Sequence, residues 1–168
     1  MLRPYRLLVT LLLQALAMVC LQPAQAQPQA QSNHIAAELI AANPTGPGTE
    51  VQLALHFRPV KGWHGYWQNP GDAGLGMKLT WNVPRGAMVS PPRYPVPQTL
   101  LIAGLMNHVY ERDYAVLQSF SVPADARQDS ELVVSVEAEW LACNPQICVP
   151  ESAVLSTVVK VHKMIPGE

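Results

Sequence analysis

Leu132-Val133-Val134-Ser135-Val136-Glu137-Ala138-Glu139-Trp140-Leu141 is the stretch that decides the fold of this chain. All of its even-numbered residues are apolar, whereas Ser135, Glu137 and Glu139 stand at odd-numbered positions. Successive side chains of a β-strand point to opposite faces, so a period of two gives one apolar and one largely polar face. The stretch therefore predicts a β-strand that is half buried against a core.

The rest of the chain repeats this alternation in shorter stretches, which are Val51 to Phe57, Met77 to Val83 and Ala153 to Val161. Turn-forming clusters separate them, including Asn43 to Gly48 and the four prolines of Pro91 to Pro97. Only Ile35 to Ala42 and Leu100 to Asn107 leave a helix open, and neither has a strong helical period. About seven short strands without a βαβ rhythm predict an all-β, immunoglobulin-like antiparallel β-sandwich.

The first 26 residues have the pattern of a secretory signal peptide. Arg3 and Arg6 precede an apolar run from Leu7 to Val19, and Ala24-Gln25-Ala26 is a typical cleavage site. The alternative is a lipoprotein that is lipidated at Cys20. We predict a signal peptide over 1–26, a mobile tail over 27–33, one immunoglobulin-like domain over 34–163 and a short tail over 164–168.

Charge and composition exclude several classes of function. The net charge of the chain is −1, and removal of 1–26, which holds two arginines and no acid, brings it to −3. No basic patch for nucleic acid remains, and no second apolar run is long enough to span a bilayer. No Ser/His/Asp pattern supports a hydrolase. We expect a periplasmic protein that is secreted through a cleaved signal peptide.

Two cysteines remain after the predicted cleavage site, and both lie in Cys143-Asn144-Pro145-Gln146-Ile147-Cys148. An even number of cysteines in an oxidising compartment favours a disulfide. Three interpretations of the pair stay open. The first is a structural bridge, which would contribute only about 2 kcal/mol because its loop is short. The second is a redox-active pair, and the third is a metal site completed by His64 or His108.

The sequence around the pair offers no activation of a thiol. No Lys, Arg or helix start lies close by, and the flanking Glu139 and Glu151 would raise the pKa of a neighbouring thiol. We therefore expect slow nucleophiles that react when a partner brings an activated thiolate or disulfide.

Further motifs occur in a fixed order after residue 26. They are Gly62-Trp63-His64-Gly65-Tyr66-Trp67-Gln68-Asn69-Pro70-Gly71-Asp72-Ala73-Gly74, Leu79-Thr80-Trp81, Tyr94-Pro95-Val96-Pro97, and Trp140-Leu141-Ala142-Cys143 followed by Cys148-Val149-Pro150-Glu151. Together they resemble the N-terminal periplasmic domain of the DsbD/ScsB thiol:disulfide interchange proteins. A strand over the first motif would place His64 and Tyr66 on one face, and we expect His64 at the surface.

The resemblance implies an immunoglobulin-like domain that receives electrons from a membrane-embedded thiol:disulfide transporter. It would pass them to periplasmic thioredoxin-fold or disulfide isomerase proteins, without a cofactor or a metal, in processes such as cytochrome c biogenesis and copper tolerance. Members of that family continue into a membrane domain and a thioredoxin-like domain, whereas this sequence ends shortly after its last strand. The electron donor therefore stays open, and a non-catalytic interaction module with a structural disulfide is the alternative function.

The same resemblance assigns roles to residues. Cys143 and Cys148 would be the exchanging pair, with Cys148 as the cysteine that reacts first with a partner. In related domains a flexible loop with an aromatic residue covers the pair. Asn107 to Glu111 stands at that place, with Tyr110 either as the cap or as an ordinary strand residue. Further partner-contact candidates are His108, Glu111, Tyr66 and His64.

Overall fold

The computed structural model describes residues 32–42 and 45–162, and its regular structure is β-strand throughout. The predicted signal peptide with Cys20, residues 27–31 of the first predicted tail and all of the second predicted tail over 164–168 lie outside these residues. None of the described residues belongs to a helix with the length and hydropathy needed to cross a bilayer. The strands are β1 (Ile35–Ala41), β2 (Glu50–Pro59), β3 (Gly65–Gly71), β4 (Lys78–Asn82), β5 (Met88–Val89), β6 (Gln98–Ile102), β7 (Leu105–Tyr110), β8 (Tyr114–Ser121), β9 (Ser130–Cys143) and β10 (Cys148–Val161).

The strands form three antiparallel sheets, with the orders β1-β2-β8-β5, β10-β9-β4 and β3-β7-β6. The long β9–β10 hairpin runs in unbroken register from Ser130 and Val161 to Cys143 and Cys148. The expected all-β antiparallel architecture is therefore confirmed.

The main core gathers the apolar faces of β2, β8 and β9. Val134, Val136 and Ala138 are fully buried, whereas Val133 on the opposite face is 63% exposed. The alternation in the sequence thus predicted correctly which face of β9 is buried. Phe57, which is fully buried, packs edge-on against Trp140 at 5.5 Å and stacks on Tyr114 at 5.0 Å between ring centroids.

Both stretches that left a helix open are strands. The first is β1, which pairs with β2 along its whole length. The second is the β6–β7 hairpin, in which Ile102 pairs with Leu105 across the two-residue turn Ala103-Gly104. Both turn residues have positive φ, 49° and 84°, as the twist of a two-residue hairpin requires. Ala is uncommon at such a position, so the turn carried no clear signal in the sequence.

Candidate functional site

The end of the β9–β10 hairpin holds the cysteine pair. Cys143 is the last residue of β9 and Cys148 the first of β10, and they stand directly opposite each other. Their Cα atoms are 4.1 Å apart and their side chains form a disulfide. Directly opposed residues that do not exchange ladder hydrogen bonds have a similar Cα separation, so the hairpin itself brings the two cysteines together.

Asn144 shapes the loop between the cysteines. Its backbone N–H donates to the carbonyl oxygen of Ile147 at 2.9 Å. Its side-chain oxygen accepts from the backbone N–H of Gln146 at 2.8 Å and of Ile147 at 2.9 Å. Such an Asx turn fixes a short loop without help from the rest of the protein. The loop leaves Ile147, the neighbour of Cys148, 55% exposed.

The two halves of the disulfide differ in exposure. Cys143 is 1% exposed, because its backbone is paired on the side away from β10 with His64: the Cys143 N–H donates to His64 O at 3.0 Å, and the His64 N–H donates to Cys143 O at 2.9 Å. Cys148 is exposed. An incoming thiolate must reach a sulfur from outside, so the geometry favours attack at Cys148.

A cavity of about 220 Å³ opens beside the disulfide. One wall is the Cys143–Cys148 loop, and another is the tip of the β6–β7 hairpin. Most of its lining is apolar. Apart from the loop, the lining residues are Tyr66, Ala73, Ile102, Ala103, Leu105 and Asn107.

Asp72 holds the hairpin tip in place. Its backbone N–H donates to the carbonyl oxygen of Met106, and its carboxylate accepts from the N–H of Met106, both at 2.8 Å. The preceding Gly71 has a φ of +94°, and a Cβ atom there would lie 2.4 Å from the oxygen of Met106. The Asn-Pro-Gly-Asp block is thus more than a turn, since it fixes one wall of the cysteine cavity.

Tyr66 forms part of the floor of the cavity and packs with Val109 and Cys143 in a small second core. Gly74, with a φ of +93°, lies against its ring, and a Cβ atom there would be 2.2 Å from the ring. His64 is 2% exposed, and its Nε2 lies 3.4 Å from the Tyr66 hydroxyl. Burial lowers the pKa of His64 and raises the pKa of Tyr66, so both side chains are neutral at pH 7. The expectation of a surface His64 was wrong.

The structure places the other sequence-predicted residues away from the cavity. Tyr110 stacks on Tyr114 at 4.1 Å between ring centroids and donates its hydroxyl to Pro95 O at 2.6 Å, so its ring belongs to the main core. Its position agrees with the strand-residue alternative and not with a cap. The Nδ1 atom of His108 lies 3.0 Å from Asn69 O. The exposed Glu111 accepts a hydrogen bond from Gln98.

Within the stretch proposed as a cap, Asn107 is the residue that lines the cavity. The structure therefore brings His64 and Tyr66 to the cysteines and leaves His108, Tyr110 and Glu111 apart from them. The hairpin tip from Ile102 to Leu105 had no sequence signal as a site.

The two acidic residues that flank the pair are engaged elsewhere. The buried carboxylate of Glu151 accepts hydrogen bonds from Trp140 Nε1 at 2.9 Å and from the backbone of β1. The carboxylate of Glu139 pairs with Lys78 at 3.0 Å on the surface. Within 32–42 and 45–162, no three His, Cys, Asp or Glu side chains come together as a metal-binding group.

Comparison with known families decides the relationship of this chain. The model of the family described as thiol:disulfide interchange protein DsbD, N-terminal, matches residues 31–160. The chain belongs to this DsbD N-terminal family. The resemblance found in the sequence motifs is therefore confirmed, and the disulfide of Cys143 and Cys148 lies in a domain of the thiol:disulfide interchange type. A comparison with curated proteins gave no match.

One solved structure of low sequence identity shows the fold of this chain. The N-terminal periplasmic domain of ScsB from Proteus mirabilis superposes with a TM-score of 0.56 at 20% identity, covering 78% of this chain and 48% of that chain. This chain thus spans about half the length of that structure. The DsbD N-terminal domain of Neisseria meningitidis in the reduced form gives a TM-score of 0.46 at 10% identity, covering 76% of this chain and 86% of that chain. The ScsB likeness agrees with the predicted immunoglobulin-like sandwich.

Proposed function

We propose that this member of the DsbD N-terminal family is a periplasmic electron relay that works by thiol–disulfide exchange through Cys143 and Cys148. The donor is a membrane-embedded thiol:disulfide transporter, and the acceptors are periplasmic thioredoxin-fold or disulfide isomerase proteins. The observation that carries the proposal is the asymmetry of the bond. An exposed Cys148 is joined to a buried Cys143 beside an open, apolar cavity.

The exchange balances in two steps. A thiolate of the donor attacks the sulfur of Cys148, a mixed disulfide forms, and Cys143 leaves as a thiolate that takes up a proton. The second donor thiol loses its proton and attacks the donor sulfur of the mixed disulfide, and Cys148 is released and protonated. The donor ends as a disulfide and this chain as a dithiol, after transfer of two electrons and two protons. The reverse sequence, started by the Cys148 thiolate, reduces an acceptor disulfide.

The surface around Cys148 suits a docking partner. Ile147, Leu105 and Met106 are 55%, 47% and 42% exposed, and Leu101 on the same hairpin is 70% exposed. Among the described residues that line the cavity there is no Lys or Arg to lower the pKa of a thiol. A partner that covers this apolar rim would exclude water and bring its own activated sulfur.

Mixed-disulfide trapping tests the relay. Cys143→Ser leaves the exposed Cys148 free, and we expect it to capture oxidised glutathione and a purified disulfide isomerase as stable mixed disulfides. Cys148→Ser leaves only the buried Cys143 of the pair and is expected to capture far less of either. The equilibrium of the wild-type pair with glutathione buffers gives its reduction potential.

The opposite result would favour a non-catalytic interaction module with a structural disulfide. That result is no capture by Cys143→Ser together with a potential below about −300 mV, where glutathione cannot reduce the bond. Location has a separate test, which is the N-terminal residue of the protein recovered from the periplasm. Export with cleavage after residue 26 would leave Gln27 at that position.

A further inference from the structure

The side chain of Asn107 contains a buried polar atom that makes no hydrogen bond to the described residues. The residue is 1% exposed, and its side-chain oxygen has no hydrogen-bond partner among the described residues. A buried carbonyl oxygen without a donor destabilises the folded protein. A redox role of the site is one explanation for such an unpaired group.

The assignment of the amide atoms follows from their neighbours. The Nδ2 atom of Asn107 lies 3.0 Å from the carbonyl oxygen of Leu105 and 3.5 Å from that of Leu100. Carbonyl oxygens only accept hydrogen bonds, so the nitrogen must be on their side and the oxygen on the other. The β6–β7 hairpin therefore holds the side chain through its nitrogen, and the side-chain oxygen has no partner among the described residues.

The cavity that Asn107 lines also exposes the disulfide, and a donor appears there on reduction. Asn107 and Cys143 both line it, and both are 1% exposed. In the disulfide Cys143 has no hydrogen to donate, whereas in the dithiol it has a buried S–H group that needs an acceptor.

We propose that the side-chain oxygen of Asn107 accepts a hydrogen bond from the Cys143 thiol in the reduced protein. Asn107 is then a positioning residue that stabilises the dithiol relative to the disulfide. The inference rests on the proposed redox cycling of the pair, and it adds a residue that sets the balance between its two states. The two electrons and two protons come from a thiol reductant such as reduced glutathione, two molecules of which form one glutathione disulfide.

The redox equilibrium gives the first test. We expect Asn107→Leu to lower the equilibrium constant for reduction by glutathione about fivefold, which corresponds to about 1 kcal/mol for one neutral hydrogen bond. Gln118→Leu is the matched control. Gln118 is 2% exposed, its Nε2 donates to Ser90 O at 2.7 Å, and its oxygen is likewise unpartnered, but it lies in β8 and lines a cavity that contains no cysteine. It should leave the equilibrium constant unchanged.

The S–H stretching band of Cys143, measured by Raman spectroscopy in Cys148→Ala, gives a second test that does not depend on redox cycling. We expect Asn107→Leu to move this band to higher frequency, whereas Gln118→Leu, which leaves the Asn107 amide in place, should retain the lower frequency. The thiol of Cys20, where the chain retains it, is common to these proteins and cancels in the difference spectra. In the wild type, the side-chain carbonyl ¹³C resonance of Asn107 should also shift on reduction, which requires no variant.

The outcomes separate the two proposals. If glutathione never reduces the pair, the relay fails, while the Raman comparison still decides the hydrogen bond. The inference is overturned if the pair is reduced but the S–H band keeps its frequency in Asn107→Leu and the carbonyl resonance of Asn107 does not shift on reduction. An equal redox shift in Gln118→Leu would overturn it as well, because loss of packing would then explain the effect. A band that responds to Tyr66→Phe in place of Asn107→Leu would assign the acceptor to Tyr66.

Discussion

The indole N–H of Trp140 donates a hydrogen bond of 2.9 Å to the buried carboxylate of Glu151, its direct partner across the β9–β10 ladder. The same carboxylate accepts from the backbone N–H of His34 at 2.6 Å and of Ile35 at 3.1 Å. A single side chain three residues beyond Cys148 therefore ties the first strand of the domain to the cysteine hairpin.

This anchor predicts a large loss of stability in Glu151→Gln. The substitution keeps the shape, but it removes the charge and turns an amide N–H group toward other donors. We expect the free energy of unfolding to fall by about 2–3 kcal/mol, measured by urea denaturation, because hydrogen bonds to a buried charge are the stronger ones. Glu139→Gln is the control, since its ion pair with Lys78 is exposed and should contribute less than about 1 kcal/mol. Equal effects of the two substitutions would contradict the anchoring role.

The pair of hydrogen bonds between Asp72 and Met106 predicts a local change at the cavity wall. Asp72→Ala removes the carboxylate that accepts from the Met106 N–H. We expect hydrogen exchange of that amide to accelerate roughly tenfold, as for the loss of one charge-assisted hydrogen bond. Asp125→Ala, at an exposed position in another turn, should leave this rate unchanged. Unaltered exchange in Asp72→Ala would show that the β6–β7 hairpin holds its own position.

Two glycines with similar φ values allow the cost of backbone strain to be measured separately from the cost of a steric clash. Gly74 and Gly62 have φ values of +93° and +87°, but a Cβ atom at Gly74 meets the Tyr66 ring, whereas at Gly62 it meets nothing within 4 Å. We expect Gly62→Ala to destabilise by about 1 kcal/mol through strain alone, and Gly74→Ala to cost about 1–3 kcal/mol more. Thermal denaturation measures both. Similar melting temperatures would mean that the segment around Gly74 moves freely away from Tyr66.

The buried His64 predicts a pH-dependent stability. Burial lowers its pKa in the fold, and the negative charge of Glu111 offsets only part of this effect. The unfolded chain therefore binds a proton more readily than the folded one below the ordinary histidine pKa of about 6.5. The stability contributed by neutral His64 is fully present above that pH and is lost as the pH falls toward its lower folded pKa.

Urea denaturation at about pH 7.5 and about pH 5 checks this expectation, since the two values lie on either side of the histidine range. The wild type should lose more stability between them than His64→Phe, in which the titrating group is absent. The other histidines are common to both proteins, so their titration cancels in the difference. An identical pH dependence would show that His64 takes up its proton without cost in the folded protein.

The sequence predicted the strands where their signal is local. The alternation from Leu132 to Trp140 requires only that one face meets a core, and the structure buries that face. The β6–β7 hairpin has no clear signal in the sequence because its turn is Ala103-Gly104, in which Ala adopts a positive φ that its own preference does not favour.

Site residues on the strands were harder to predict, because a period of two gives two faces without saying what each face meets. His64 was expected in solvent, but this residue, which directly precedes β3, pairs with the backbone of Cys143 and packs against Tyr66. Tyr110 has two interpretations in the sequence, a cap or an ordinary strand residue, and its face of β7 turns to the main core, where it stacks on Tyr114. Asn107, three residues earlier, is the one beside the cysteines.

The sequence by itself determined the strands with clear alternation and the short loop that joins Cys143 to Cys148, since each depends on residues close together in the chain, and the ordered motifs determined the family. Only the tertiary structure decided that Cys143 is buried and Cys148 exposed, that Asp72 holds Met106 34 residues away, and that Asn107 lines the cavity beside the disulfide. These relationships join segments far apart in the chain, and long-range strand pairing and packing, which no local pattern records, set them.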